Sequence, residues 1–187
     1  YPNFENPQLA FDSTGTLAGD ILFSSTIATG GNNLTLDAGT AGNITLVATL
    51  SGGGDMTVRD GDVQSYQALT VNSLNIQDAT TSVTLNGNIA ATTTIVVNSG
   101  ASIVQNGLVT SGTNLDYDAG TTLNINNSIT VSGTVDINAT GTTTLAADAD
   151  IDAGGDVTFG ANKTGSLTTA GDVLTSDDNI TFTRAVT

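Results

Sequence analysis

Aspartate is the residue type whose spacing most suggests chemistry in this chain. The run DADIDAGGD at 148–156 brings Asp148, Asp150 and Asp152 close together, and Asp172 stands 22 residues after Asp150. In a chain that repeats every 21 residues or so, that distance makes two residues neighbours. Carboxylate oxygens are the ligands that Ca²⁺ prefers. The pattern predicts a calcium site at Asp148, Asp150, Asp152 and Asp172, with solvated surface acids as the alternative interpretation.

Asp116 and Asp136 form a second candidate pair. They stand 20 residues apart, each at the outward-facing position of a short strand pattern. Two carboxylates at one strand spacing repel each other unless a cation or a proton lies between them. We therefore expect Asp116 and Asp136 to share an outer surface, where Ca²⁺ is the cation that they would hold.

The elements that must position these acids are short strands in which apolar residues alternate with polar ones. This alternation is typical of strands with one buried face. One series of such strands recurs about every 21 residues, and its repetition is the mark of a solenoid. The first apolar residues of this series are Leu34, Met56, Leu74, Ile95, Leu115, Val135, Val157 and Ile180.

Two further series fall between these strands. The second comprises Ile44, Val63, Val83, Ile103, Leu123, Leu145 and Leu167, and the third comprises Leu50, Leu69, Ile89, Leu108, Ile129, Ile151 and Val173. Three strands in each repeat predict an all-β, three-sided parallel β-solenoid of about eight stacked coils. We expect residues 11–187 to form the solenoid and residues 1–10 to form an edge or cap segment.

Composition excludes several classes of function. The net charge is −15, with 18 acidic residues against three basic ones, so no cationic surface is present to bind nucleic acid or an anionic membrane. No apolar run has the length of a membrane-spanning helix, and the absence of cysteine excludes disulfides and thiolate metal sites. Histidine and tryptophan are also absent. We therefore predict no enzyme activity, with a polysaccharide-active enzyme as the minor alternative.

The repeats resemble those of filamentous-haemagglutinin-like adhesins and related bacterial β-strand-repeat surface proteins. The resemblance rests on GNNLTLDAGTAGNITLVATL at 31–50 and VDINATGTTTLAADADIDAGGDVTF at 135–159. It implies a right-handed β-helix at the bacterial cell surface or outside the cell, used as a stalk, a filament or an adhesin shaft. Its expected partners are a second copy stacked end to end, or the continuation of the same polypeptide.

Two other binding roles stay open at this point. One is an adhesin module that recognises a glycan or protein on a host surface. The other is ice binding, which flat arrays of threonine support in some solenoids. A hydroxyl row before the second-series strands motivates this alternative, and its members are Ser82, Ser102, Thr122, Thr144 and Ser166.

Overall fold

The chain forms a parallel β-solenoid in a computed structural model that describes residues 9–12, 19–160 and 165–187. The described residues contain strands, turns and bends but no helix. The predicted edge segment lies outside the described residues except for Leu9 and Ala10, which begin the first strand. The predicted fold class, an all-β three-sided solenoid, is confirmed, and its handedness stays a prediction.

The first side of the solenoid is a nine-stranded parallel sheet. Successive members are one coil apart, so that Leu115 pairs with Val135 and Val135 pairs with Val157. Its strands are β1 (Leu9–Asp12), β4 (Leu34–Asp37), β7 (Met56–Val58), β10 (Leu74–Ile76), β13 (Ile95–Ser99), β16 (Leu115–Ala119), β19 (Val135–Ala139), β22 (Val157–Phe159) and β25 (Ile180–Phe182).

The second and third sides are eight-stranded parallel sheets. The second side contains β2 (Ile21–Phe23), β5 (Ile44–Leu46), β8 (Val63–Tyr66), β11 (Ser82–Leu85), β14 (Ser102–Gln105), β17 (Leu123–Ile125), β20 (Thr143–Leu145) and β23 (Leu167–Thr169). The third side contains β3 (Ile27–Ala28), β6 (Leu50–Ser51), β9 (Leu69–Val71), β12 (Ile89–Ala91), β15 (Val109–Ser111), β18 (Ile129–Val131), β21 (Ile151–Ala153) and β24 (Val173–Thr175). A bridge between Leu167 and Val186 begins one more pairing on the second side.

The core is a narrow column of aliphatic side chains that point inward from all three sides. Leu74, Ile95 and Leu123 are fully buried, and so are most of their equivalents in the central coils. One coil alone could not bury these residues, because it has no second layer. Each coil is instead covered by the coils above and below it, which also satisfy its backbone hydrogen bonds.

Two glutamines replace apolar residues in this column. Gln64 donates from Nε2 to the Asp78 carbonyl at 3.0 Å and accepts from the Tyr66 hydroxyl at 2.8 Å. Gln105 donates to the carbonyls of Gly107 and Asn127 at 3.0 and 2.9 Å. Both side chains reach the turns at the corners of the coil, where carbonyl groups are not used by the sheets. Those hydrogen bonds offset the desolvation of the Gln64 amide and of the Gln105 NH₂ group, whereas Gln105 Oε1 is buried with no hydrogen-bond partner among the described residues.

The predicted first side is correct at each of its eight positions, but the second side contains two errors of register. Gln64, and not Val63, pairs with Ile44, so Val63 lies outside and is 40% exposed. Thr143, and not Leu145, pairs with Leu123, and Leu145 is the inward residue two positions later. A shift of one residue turns a side chain to the other face of a strand, whereas a shift of two keeps its face.

The third side contains one similar error. Val109 pairs with Ile89 and Ile129, so the predicted Leu108 precedes the strand instead of entering the core. Leu108 is only partly buried.

No helix among the described residues is both long and apolar enough to cross a membrane.

Candidate functional site

At seven corners among the described residues, a repeated hydrogen bond to an Asn or Asp side chain joins successive coils at the residue that precedes an inward-facing strand position. At the best example, Asn114 Oδ1 accepts from the backbone N–H of Thr134 at 3.1 Å and from its hydroxyl at 3.0 Å. We call this arrangement the corner cap. The same side-chain oxygen to backbone N–H bond joins Asp20 to Asn43, Asn33 to Asp55, Asn43 to Val63, Asn88 to Leu108, Asp150 to Asp172, and Asp156 to Asn179, at 2.8–3.3 Å.

The corner caps have one direction. In each of them the oxygen belongs to the coil nearer the amino terminus and the N–H belongs to the following coil. Short side chains with an oxygen two bonds beyond Cβ suit this reach, which explains the choice of Asn and Asp at these positions. The caps also explain why Val63 and Leu108 lie outside: each donates its backbone N–H to a cap below it.

The predicted calcium ligands on the third side are spread along the outer surface. Asp148 lies in the turn before β21, Asp152 points outward from that strand between Thr130 and Leu174, and all four predicted ligands are exposed. The carboxylate of Asp150 accepts the backbone N–H of Asp172 at 3.0 Å, so the predicted neighbourhood of these two residues is correct. Within the described ranges, no three acidic side chains converge into a group that could hold a metal ion. Calcium binding stays a prediction, and the structure shows a corner cap at Asp150.

Asp116 and Asp136 are direct partners on β16 and β19, as predicted. They line a groove of about 340 Å³ on the first side, together with Asn114 and Thr134. Burial raises the pKa of the Asp116 carboxyl above its ordinary value, and the nearby Asp136 and Asp118 carboxylates raise it further. This half-buried pair is therefore a place where charge is costly at neutral pH.

The negative charge of Asp136 is better stabilised than that of Asp116. Burial also raises the pKa of Asp136, but its Oδ1 accepts from the Asn138 amide at 3.1 Å, which favours the charged form. The cationic Arg184 acts in the same direction. None of the residues that line the groove is aromatic, so the groove lacks the flat platform on which sugar rings stack.

Arg184 forms a contact that the sequence did not indicate. From the last coil, its guanidinium reaches past Gly160 and donates to the Thr143 hydroxyl at 2.9 Å and the Ile137 carbonyl at 3.1 Å. The partners lie 41 and 47 residues earlier, two coils below. Partial burial lowers the pKa of Arg184, opposed by Asp136. A single arginine in an acidic chain forms no sequence pattern from which this contact could be predicted. The one signal is its acceptor, Thr143, a polar residue at an inward position.

The hydroxyl row that motivated ice binding is interrupted. Ser82 and Ser102 are partners, as the row requires, but Thr144 lies on the outer face of β20 opposite Asn124. The outward positions of this side include Val104 and Asn124 between the threonines. The second side therefore presents no continuous threonine array.

Comparison with known proteins adds no identity: no family model, no curated protein and no solved structure matches this chain.

Proposed function

We propose that this chain is a rigid structural segment of a secreted or cell-surface bacterial filament, stalk or adhesin. Its role is mechanical and not catalytic, and it acts outside the cell by the end-to-end stacking of coils. The observation that supports this proposal best is the parallel stacking of coils along three continuous sheets, whose inward ladders extend to the last described strands. Ile180, Phe182 and Val186 are 39%, 44% and 46% exposed.

These three side chains continue the ladders of the core. Ile180 pairs with Val157, Phe182 pairs with Phe159, and Val186 bridges to Leu167, each of which is fully buried by the coil above it. An added coil would bury the last members in the same way. Burial of apolar surface is favourable by about 25 cal/mol for each Å², so the uncovered end is a surface on which another coil gains stability.

The corner caps supply the polar part of the same argument. Asp172 and Asn179 stand at the cap positions of the last strands on the third and first sides, before Val173 and Ile180. One coil below, the side-chain oxygens of Asp150 and Asp156 each receive an N–H from the next coil. A coil that stacks on this end would provide both N–H groups. Its source is a second copy of the chain or the continuing polypeptide.

A stack of parallel strands also suits a mechanical role. Neighbouring strands lie about 4.8 Å apart, so eight coils form a rod of about 40 Å. Tension along the rod is shared by three parallel sheets at every coil, and no coil can separate without breaking the hydrogen bonds of all three. The half-buried groove at Asp116 adds no support to this role, because a mechanical rod does not require a groove.

Electron microscopy of the purified chain over a concentration series tests the proposal. We expect rods that lengthen in steps of about 40 Å as the concentration rises. Phe182→Asp should abolish lengthening, because it places a charge on the stacking surface. Leu174→Asp is the matched control: Leu174 is 58% exposed on the last strand of the third side but points outward, so lengthening should persist.

Two results would contradict end-to-end stacking of copies. One is single rods of constant length at every concentration. The other is equal loss of lengthening in the two variants, which would assign association to general surface hydrophobicity. Circular dichroism of both variants checks that the solenoid itself has formed.

A further inference from the structure

Two Asn-Gly steps occur at equivalent corners of successive coils, Asn86-Gly87 and Asn106-Gly107. Asn-Gly is the dipeptide most prone to deamidation, because glycine has no side chain to shield its backbone nitrogen. That nitrogen attacks the asparagine Cγ, a new N–Cγ bond forms, and the Cγ–Nδ2 bond breaks with release of ammonia. Water then opens the resulting succinimide ring to aspartate or isoaspartate.

Packing between coils requires the glycines. A Cβ on Gly87 would lie 2.4 Å from the backbone nitrogen of Ala68, and a Cβ on Gly107 would lie 2.1 Å from the Gly87 carbonyl oxygen. Contacts this short with backbone atoms cannot be relieved by a change of rotamer. At these two corners the backbones of successive coils therefore stack so closely that only glycine fits.

Hydrogen bonding between coils accounts for the asparagines. Asn126 Nδ2 donates to Asn106 Oδ1 at 2.9 Å, Asn106 Nδ2 donates to Asn86 Oδ1 at 3.2 Å, and Asn86 Nδ2 donates to Ser65 Oγ at 3.0 Å. We call this row the asparagine ladder. Asn86 and Asn106 are held at both ends of their amide groups, and Asn126 is the member at which the row ends.

We propose that Asn86 and Asn106 are latent deamidation sites that the folded asparagine ladder keeps closed. Both side chains are exposed, so water and base reach them in the native rod. Attack requires the amide to turn toward the glycine nitrogen, which breaks both ladder bonds. At Asn106 the attacking nitrogen is also engaged, because the Gly107 N–H donates to the Leu85 carbonyl at 3.3 Å.

The products cannot restore the corner. Aspartate at position 106 has no N–H to donate to Asn86, and the two facing oxygens repel each other. Isoaspartate lengthens the backbone by one methylene group at a corner where even a Cβ does not fit. Once an asparagine has reacted in a locally unfolded corner, that corner cannot refold. Deamidation at Asn86 and Asn106 therefore marks rods that have been locally unfolded.

The experiment incubates the full chain at mildly alkaline pH, folded and in denaturant, and maps aspartate and isoaspartate by peptide mass spectrometry. Breaking two ladder bonds should slow the reaction of the folded chain by about thirtyfold relative to the denatured chain. The Asn126→Ala variant frees Asn106 Oδ1 and should accelerate reaction at Asn106 by about fivefold, with little change at Asn86.

Ser65→Ala is the matched variant, because it frees the other end of the ladder and should accelerate Asn86 selectively. Circular dichroism and thermal melting confirm that both variants remain folded. Equal rates in the folded and denatured chains would overturn the proposal. It would also be overturned if the two variants left both site-specific rates at the wild-type value.

Discussion

The central coils and the last coil use the same strand pattern but bury it to very different extents. Phe159 and Phe182 are partners on adjacent strands of the first side, and their rings stack with centroids 5.2 Å apart. Phe159 is fully buried, whereas Phe182 is 44% exposed. The two residues share type and position in the coil, so the difference arises from the coil that covers Phe159.

The same contrast applies to the polar groups. Asp150 and Asp172 precede partner strands on the third side, but Asp150 receives an N–H from the coil above it and Asp172 stands on the last strand of that side. Burial and capping in this fold are thus properties of a coil and its successor together. A solenoid of this kind gains stability by nearest-neighbour contact between coils.

The largest expected effect is the difference in stability cost between truncating a central isoleucine and truncating an isoleucine of the last coil. Ile95 and Ile180 occupy the same ladder position on the first side, but Ile95 is fully buried and Ile180 is 39% exposed. Ile95→Ala should lower the free energy of unfolding by about 3 kcal/mol, because it leaves a cavity. Ile180→Ala should cost about 1 kcal/mol or less, because its site is already partly solvated. Denaturant titration followed by circular dichroism measures both, and equal costs would contradict nearest-neighbour burial.

Adding one coil after Thr187 should remove most of this difference between Ile95→Ala and Ile180→Ala. Val186 and Thr187 correspond in register to Leu123 and Asn124, through Thr143 and Leu167. A second copy of residues 125–144 placed after Thr187 would therefore supply the next coil in register. Ile180→Ala in this extended chain should then cost about 2 kcal/mol, close to the central value. If its cost stays unchanged, the appended segment has not stacked and the uncovered end does not accept a coil.

A smaller effect should distinguish the two corner-cap acids. Asp150→Ala removes the acceptor of the Asp172 N–H and should cost about 1 kcal/mol. Asp172→Ala removes a cap residue on the last described strand of that side, where its oxygen receives no N–H from a described coil, so in this chain its cost should be near zero. Thermal melting of both variants measures the difference, and equal costs would contradict the assigned direction of the caps.

A third variant on the same side, Asp152→Ala, tests the calcium prediction. A higher melting temperature in millimolar Ca²⁺ than in chelator, reduced in Asp152→Ala, would establish a site at these acids. Asp152 is a suitable probe because it points outward from β21. Equal melting temperatures in Ca²⁺ and chelator would leave Asp150 with its structural role alone.

The smallest expected effect is a gain of stability at Asp116. Because burial and the Asp136 and Asp118 carboxylates raise its folded pKa, the native state binds a proton more readily than the unfolded state does. Stability should therefore rise as the pH falls through the raised folded pKa, until the ordinary pKa of the unfolded chain is reached. Asp116→Asn should stabilise the protein at neutral pH by less than about 1 kcal/mol and weaken this pH dependence.

Asp152→Asn is the matched control for this change, because its strand partners Thr130 and Leu174 carry no charge. It should leave stability and its pH dependence unchanged in the same melting experiments. A loss of stability in Asp116→Asn at neutral pH would show that the first-side pair is bridged instead of repelling.

The sequence alone determined the three-sided coil and the eight inward positions of the first side from Leu34 to Ile180, because apolar residues stand at each of them and alternation is unambiguous there. It missed the first position of the ninth strand, which is Leu9. It also determined that Asp116 and Asp136 are neighbours, since a constant coil length turns spacing into contact. These features follow from periodicity, which is a local property of the chain.

Only the tertiary structure decided the positions at which polar residues enter the core. Gln64 and Thr143 point inward because hydrogen bonds satisfy them. Gln64 binds the Asp78 carbonyl at a corner of the coil and the Tyr66 hydroxyl on its own strand. Thr143 accepts from the Arg184 guanidinium, which comes from two coils away. Val63, in contrast, lies outside because its backbone N–H is capped by Asn43. Hydrophobic alternation cannot reveal such exchanges, since the free energy of burying a polar group depends on its hydrogen-bond partners and not on the hydrophobicity of its neighbours in sequence.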